Sequence, residues 1–119
     1  MADLRGKKAS ESVTNYQIYS NSWTWKNESG SFYFSFPKKI ISGYITVKVD
    51  KGEKKSGQNP YVNILGTKVV YIEEKNINIP SGTSILNGTY FTGYYRGNNS
   101  SQEPQTCIVD IKFTGEWEL

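Results

Sequence analysis

Histidine is absent from the 119 residues, and cysteine occurs once, as Cys107. The first absence removes Ser-His-Asp and Cys-His catalysis, histidine general bases and every histidine metal ligand. The second removes an intrachain disulfide, so the fold does not depend on an oxidising compartment. A zinc site would fall to carboxylates, which suit it poorly. No run approaches the ~18 apolar residues of a membrane span. Met1 to Thr14 has no apolar stretch of the kind a signal peptide carries. Neither membrane insertion nor a signal peptide is therefore expected. No glycine-rich phosphate loop is present, because Gly93 and Gly97 sit in a strand pattern rather than ahead of a helix. Asp50-Lys51-Gly52-Glu53 lacks the ligand spacing of an EF-hand.

Carboxylates are the acid–base groups that remain. Glu116 and Glu118 share a strand face about 6.5–7 Å apart, which overlaps the spacing used by inverting glycosidases. Any i,i+2 acidic pair does the same. A solvated face balanced by Lys112 is the simpler account. Cys107 falls in phase with Val109, Ile111 and Phe113, which reads as a packed, inert thiol. No enzyme activity, cofactor or metal is expected.

Apolar residues amount to 36%, yet aromatics reach 14%. A few large rings must therefore supply much of the core. Net charge is +3, from 14 Lys and Arg against 11 Asp and Glu. Lys48, Lys51, Lys54 and Lys55 cluster near one loop, and Lys38 and Lys39 occupy another. Asp50 and Glu53 dilute the first cluster, and the net charge is low for a nucleic-acid binder. Nucleic acid is not an expected partner.

From Tyr16 onward the chain alternates with a period of two, broken by Gly, Pro and Asn clusters. Cys107, Val109, Ile111, Phe113, Gly115, Trp117 and Leu119 fall on one face of the last strand. Ile41, Ile45, Val47 and Val49 repeat the pattern around Gly43. A four-residue turn at Asn27–Gly30 would make a hairpin with Trp23, Trp25, Phe32, Phe34 and Phe36 on one face. No segment has a helical period. These signs predict an all-β fold, a two-sheet antiparallel β-sandwich of jelly-roll type with about eight strands. Residues 1–14 read as a flexible N-terminal arm and 15–119 as the sandwich domain. Expected core members are Trp117, Phe113, Ile111, Val109, Trp25 and Phe34.

If one strand runs from Thr89 to Arg96, alternation places Tyr90, Thr92, Tyr94 and Arg96 outward, with Phe91 and Tyr95 inward. Asn98 and Asn99 follow in a polar loop, and Tyr33 lies on the outer face of the hairpin. Flat rings can cover the apolar face of a sugar, while Arg and Asn bond its hydroxyls. Tyr90, Tyr94, Arg96, Asn98, Asn99 and Tyr33 are thus the candidate ligand-binding residues. They predict a non-catalytic recognition module for cell-surface glycan. The same composition suits a protein interface. The alternative is therefore a structural protein of a virion, phage tail or other oligomeric assembly. Either role implies a glycan or protein surface as partner, homo-oligomerisation, and an extracellular or virion-associated setting.

Overall fold

The computed structural model describes residues 9–119. Ten strands follow one another: β1 (Ser10–Trp25), β2 (Ser29–Ser35), β3 (Ile40–Lys51), β4 (Gly57–Gln58), β5 (Tyr61–Ile64), β6 (Thr67–Val70), β7 (Glu74–Asn78), β8 (Ile85–Phe91), β9 (Tyr94–Arg96) and β10 (Gln102–Glu118). Strand accounts for 69% of the described residues and helix for none of them.

Without the short β4 and β9, eight strands form two four-stranded antiparallel sheets, β1-β10-β3-β7 and β2-β8-β5-β6. The pairs β1·β10, β2·β8, β3·β7 and β5·β6 are successive lengths of one two-stranded ribbon. The ribbon doubles back at Leu65-Gly66 and wraps so that its lengths alternate between sheets. This is jelly-roll topology. Leu65 has φ 51° and Gly66 has φ 79°. A two-residue type I′ hairpin turn requires such a pair of positive values.

The core lies between the two sheets. Ile45, Val47, Val49, Val62, Ile64, Val69, Val109, Ile111 and Phe113 are sealed from solvent. A column of rings joins them along the sandwich. Trp117 stacks on Phe113 at 5.5 Å, Phe113 meets Phe36 at 5.6 Å, and Phe36 meets Phe34 at 5.9 Å. Phe32 carries the column to Trp23 at 5.2 Å, which stacks on Tyr90 at 4.0 Å. A small set of rings thus spans a core that the apolar count alone would not fill.

Several expectations need correcting. Trp23 and the Phe face of β2 do meet, but across the two sheets rather than within a hairpin. β1 pairs with β10, and β2 pairs with β8. The reason is Asn27, at φ 53°, whose N–H bonds the Gly93 carbonyl at 2.7 Å and turns the chain into the other sheet. Trp25 sits beyond the column and is 60% exposed, so it is not core. Leu119 is exposed as well. Ile40, not Ile41, is buried, because a register shift next to Trp117 reverses the phase of β3 there. Of the arm expected over residues 1–14, residues 1–8 lie outside the described residues. Ser10 to Thr14 belong to β1, where Ser10 pairs with Glu118 and Glu11 accepts the Trp117 indole N–H at 3.0 Å. A polar strand laid on a sheet edge alternates no more visibly than a solvated arm.

Candidate functional site

Four connections gather at one end of the sandwich: residues 26–28, 52–60, 71–73 and 92–101. Backbone bonds tie them together, Thr92 N–H to the Glu28 carbonyl at 2.9 Å and Arg96 N–H to the Ser56 carbonyl at 2.6 Å. At their centre is Lys51, only 6% exposed. Its ammonium donates to the Lys55 carbonyl at 3.0 Å and Asn59 Oδ1 at 2.9 Å, and lies 4.5 Å from the Tyr71 ring centroid. Burial, and then the neighbouring Lys54 charge, lower its pKa. Lys54 is paired with Asp50, which raises the lysine pKa and lowers that of the carboxyl. With two carbonyl-type acceptors and a ring, Lys51 acts as a pin for the 52–59 loop.

The six candidate binding residues do not converge. Tyr90 is in the core, 8% exposed, stacked on Trp23, with its hydroxyl donating to Glu28 Oε2 at 2.6 Å. That bond, with burial second, raises the phenol pKa to about 12. The outward placement of Tyr90 is therefore corrected. Alternation does not run through from Thr89 to Arg96. It breaks at Gly93, φ 68°, where a Cβ would lie 2.1 Å from the Gln58 carbonyl oxygen. There the chain leaves the β2-β8-β5-β6 sheet for β9, which pairs with β10, and the phase restarts. Phe91 consequently faces outward, half-buried against Tyr61 at 5.2 Å. Tyr94 and Arg96 do stay together: the guanidinium carbon is 5.1 Å from the ring centroid, and one of its nitrogens donates to the Ser100 carbonyl at 2.8 Å. Asn98 and Asn99 adjoin them in the turn that leads to β10. Tyr33, 65% exposed, belongs to the outer face of the other sheet.

The two outer faces differ in charge. On the β1-β10-β3-β7 sheet, Asp110 stands beside Lys48, and Lys48 beside Glu74. Gln17, Thr46 and Lys112 join them around a shallow groove of about 300 Å³. Ser20 and Gln17 donate to Asp110 at 2.9 and 3.4 Å. On the β2-β8-β5-β6 sheet, the rows read Tyr33–Asn87, Ser35–Ile85, Ser31–Thr89–Asn63–Lys68 and Ser29–Phe91–Tyr61–Val70. Lys68 is their one charge, and its ammonium lies 4.1 Å from the Tyr61 ring centroid. This neutral face of hydroxyls, amides and rings escapes sequence reasoning, since its members come from four strands. The available signal is the absence of charge at alternate positions of Ser29–Ser35 and Ile85–Phe91.

No protein-family model matches the chain, and no curated protein matches it. Among solved structures it is similar to the C-terminal domain of a structural protein from Sulfolobus turreted icosahedral virus. The likeness has a TM-score of 0.37 at 15% identity, over 83% of this chain and 98% of that one. Similarity at this level leaves function to be read from the chain's own surfaces.

Proposed function

We propose that this protein is a non-catalytic structural subunit that works by packing against other protein subunits through its neutral side. The observation that supports this reading is the unequal division of charge. Among the described residues, the outer face carrying Tyr33, Ile85, Asn87, Thr89, Phe91 and Tyr61 holds Lys68 as its one charge, while the opposite face is laced with Lys48, Glu74, Asp110 and Lys112. Interface centres are depleted in charge and enriched in aromatic residues. Tyr33 and Ile85 are 65% and 52% exposed. A face meant only for water has no need of such side chains side by side. Tyr33→Lys places a second charge on this face, on its outer strand β2, without touching the core. Sedimentation should then show a smaller particle than wild type, with the melting temperature of the fold unchanged. An unaltered mass for Tyr33→Lys would remove this face from any assembly role.

Glycan recognition is a second reading, supported by the Tyr94–Arg96 pair beside Asn98 and Asn99. Its test is Arg96→Ala on a glycan array, where loss of a wild-type signal is the expected result. No wild-type signal would end it.

A further inference from the structure

The two lateral sides of the sandwich are guarded unequally. A sheet edge presents unpaired N–H and C=O groups, and proteins blunt such edges with charges, proline or bulges. One side is closed by β6 and β7, which carry Lys68, Glu74 and Lys75, with Lys75 also 3.6 Å from Glu73. The other side is closed by β1 and β2. The first part of β1 is also blunted, by Glu11 and by register shifts between Val13 and Tyr16 and between Gln17 and Tyr19. From Tyr19 to Trp25 the register against β10 is regular, and Tyr19-Ser20-Asn21-Ser22-Trp23-Thr24-Trp25 contains no charge, no proline and no bulge. β2 beneath it, Ser29–Ser35, is also uncharged. Tyr19, Trp23, Thr24 and Trp25 favour strands, and the edge lacks the charge, proline and bulge that usually oppose pairing. A local cover is the Asn21 side chain, whose Oδ1 accepts the Ser22 N–H at 2.8 Å and would swing away as a second strand pairs there.

We infer that two copies of this chain join their β1 edges antiparallel over Tyr19–Trp25, with Ser22 on the twofold axis, forming one continuous sheet. The inference rests on the packing role proposed above and names a partner and an interface. The segment is self-complementary about Ser22. Tyr19 would face Trp25 of the second copy, Ser20 would face Thr24, and Asn21 would face Trp23. Trp25 is 60% exposed in the single chain. The Tyr19–Trp25 pairing gives it a cross-strand aromatic neighbour. Ser20, Ser22 and Thr24 would form a ladder of hydroxyls on the outer face. Charge also suits a second copy of a chain whose net charge is +3. The segment brings no charge to the axis, so two copies meet there without like-charge repulsion, and the Lys26 side chains flanking it would lie roughly 26 Å apart along the pair. That distance is about three screening lengths at physiological salt. A twofold contact between identical patches is also the commonest way for soluble subunits to associate.

The test uses the full chain and three variants of exposed residues. Ser22→Cys should form a disulfide-linked dimer on mild oxidation, because antiparallel partners at the axis stand about 4.5–5.5 Å apart between Cα atoms. Ser20→Cys should not, since its two copies would be about 13 Å apart. Cys107 is buried and does not compete. Ser22→Lys should weaken self-association by more than about tenfold in a sedimentation series, because the two new ammonium groups would meet on the axis. Its circular dichroism and melting temperature should be retained. An assembly that survives Ser22→Lys but is lost in Tyr33→Lys would overturn the edge contact and leave the packing role standing. A wild-type chain that stays monomeric at every concentration would overturn both. Equal cross-linking of Ser20→Cys and Ser22→Cys would overturn the register and with it this interface.

Discussion

Tyr90 takes a hydroxyl into an aromatic core and satisfies it there with Glu28 at 2.6 Å. The consequence is alkaline sensitivity. The Tyr90 phenol and the buried Cys107 thiol are each raised to about 12, from ordinary values of 10.0 and 9.0. The folded chain keeps protons that the unfolded chain releases earlier. Their stabilising effect is complete below the ordinary values and is lost as pH rises towards about 12. Melting temperature should therefore fall across that range, and the fall should be shallower in Tyr90→Phe. An identical slope would show that Tyr90 takes no part in it. The same burial should leave Cys107 unreactive towards a thiol reagent at mildly alkaline pH until the chain is unfolded. The tryptophans separate as sharply. Trp117→Ala should cost about 3–5 kcal/mol in urea denaturation, whereas Trp25→Ala should cost under about 1 kcal/mol. Trp117 was legible as core because alternate positions from Cys107 onward repeat its phase. Trp25 was not, because whether an inward-facing ring finds cover depends on where the opposite sheet ends.

Elements were legible where one residue type marks their limits. β10 could be drawn from sequence from Cys107 on, since the apolar phase holds as far as Trp117, but its start at Gln102 lies in a stretch that reads as polar loop. The break between β8 and β9 could not, because Thr92-Gly93 looks like an ordinary position in a strand until Gly93 adopts φ 68° and sends the chain into the other sheet. The candidate site was built on that missing break, and Tyr90 left it for this reason alone. The β5–β6 turn carries a related oddity. Leu65 occupies a left-handed position that favours Asn or Gly. It is 47% exposed and gains little from burial there. Leu65→Asn should stabilise the fold by roughly 0.5–1 kcal/mol, measured as a higher urea midpoint at constant slope. A lower midpoint would mean that the leucine makes up its backbone strain through contacts. Lys51 was the reverse case. Four lysines near one loop read as a solvated cluster, and composition could not reveal that one of them turns inward to hold the 52–59 segment.

At the scale of the whole molecule, the class of fold followed from period-two alternation and regular turn signals. The partner of each strand did not, because pairing in a wrapped ribbon joins residues such as Ser10 and Glu118 that local pattern cannot connect. The neutral side belongs to the same scale. It exists only after four strands have been laid in order. That ordering also sets a timetable. β10 is the strand against which β1 and β3 both lie, yet it leaves the ribosome after either of them. Until it emerges, Ile45, Val47 and Val49 have no neighbour on that flank, and β1 lacks the strand it pairs with. The nascent chain must remain unfinished, with its strands exposed, until the 17 residues of β10 arrive. Contacts that span so much sequence also close slowly, on the order of milliseconds to seconds. A chain stopped at Ser101 should accordingly be captured by chaperones rather than fold, while the full chain should refold unaided in one slow phase.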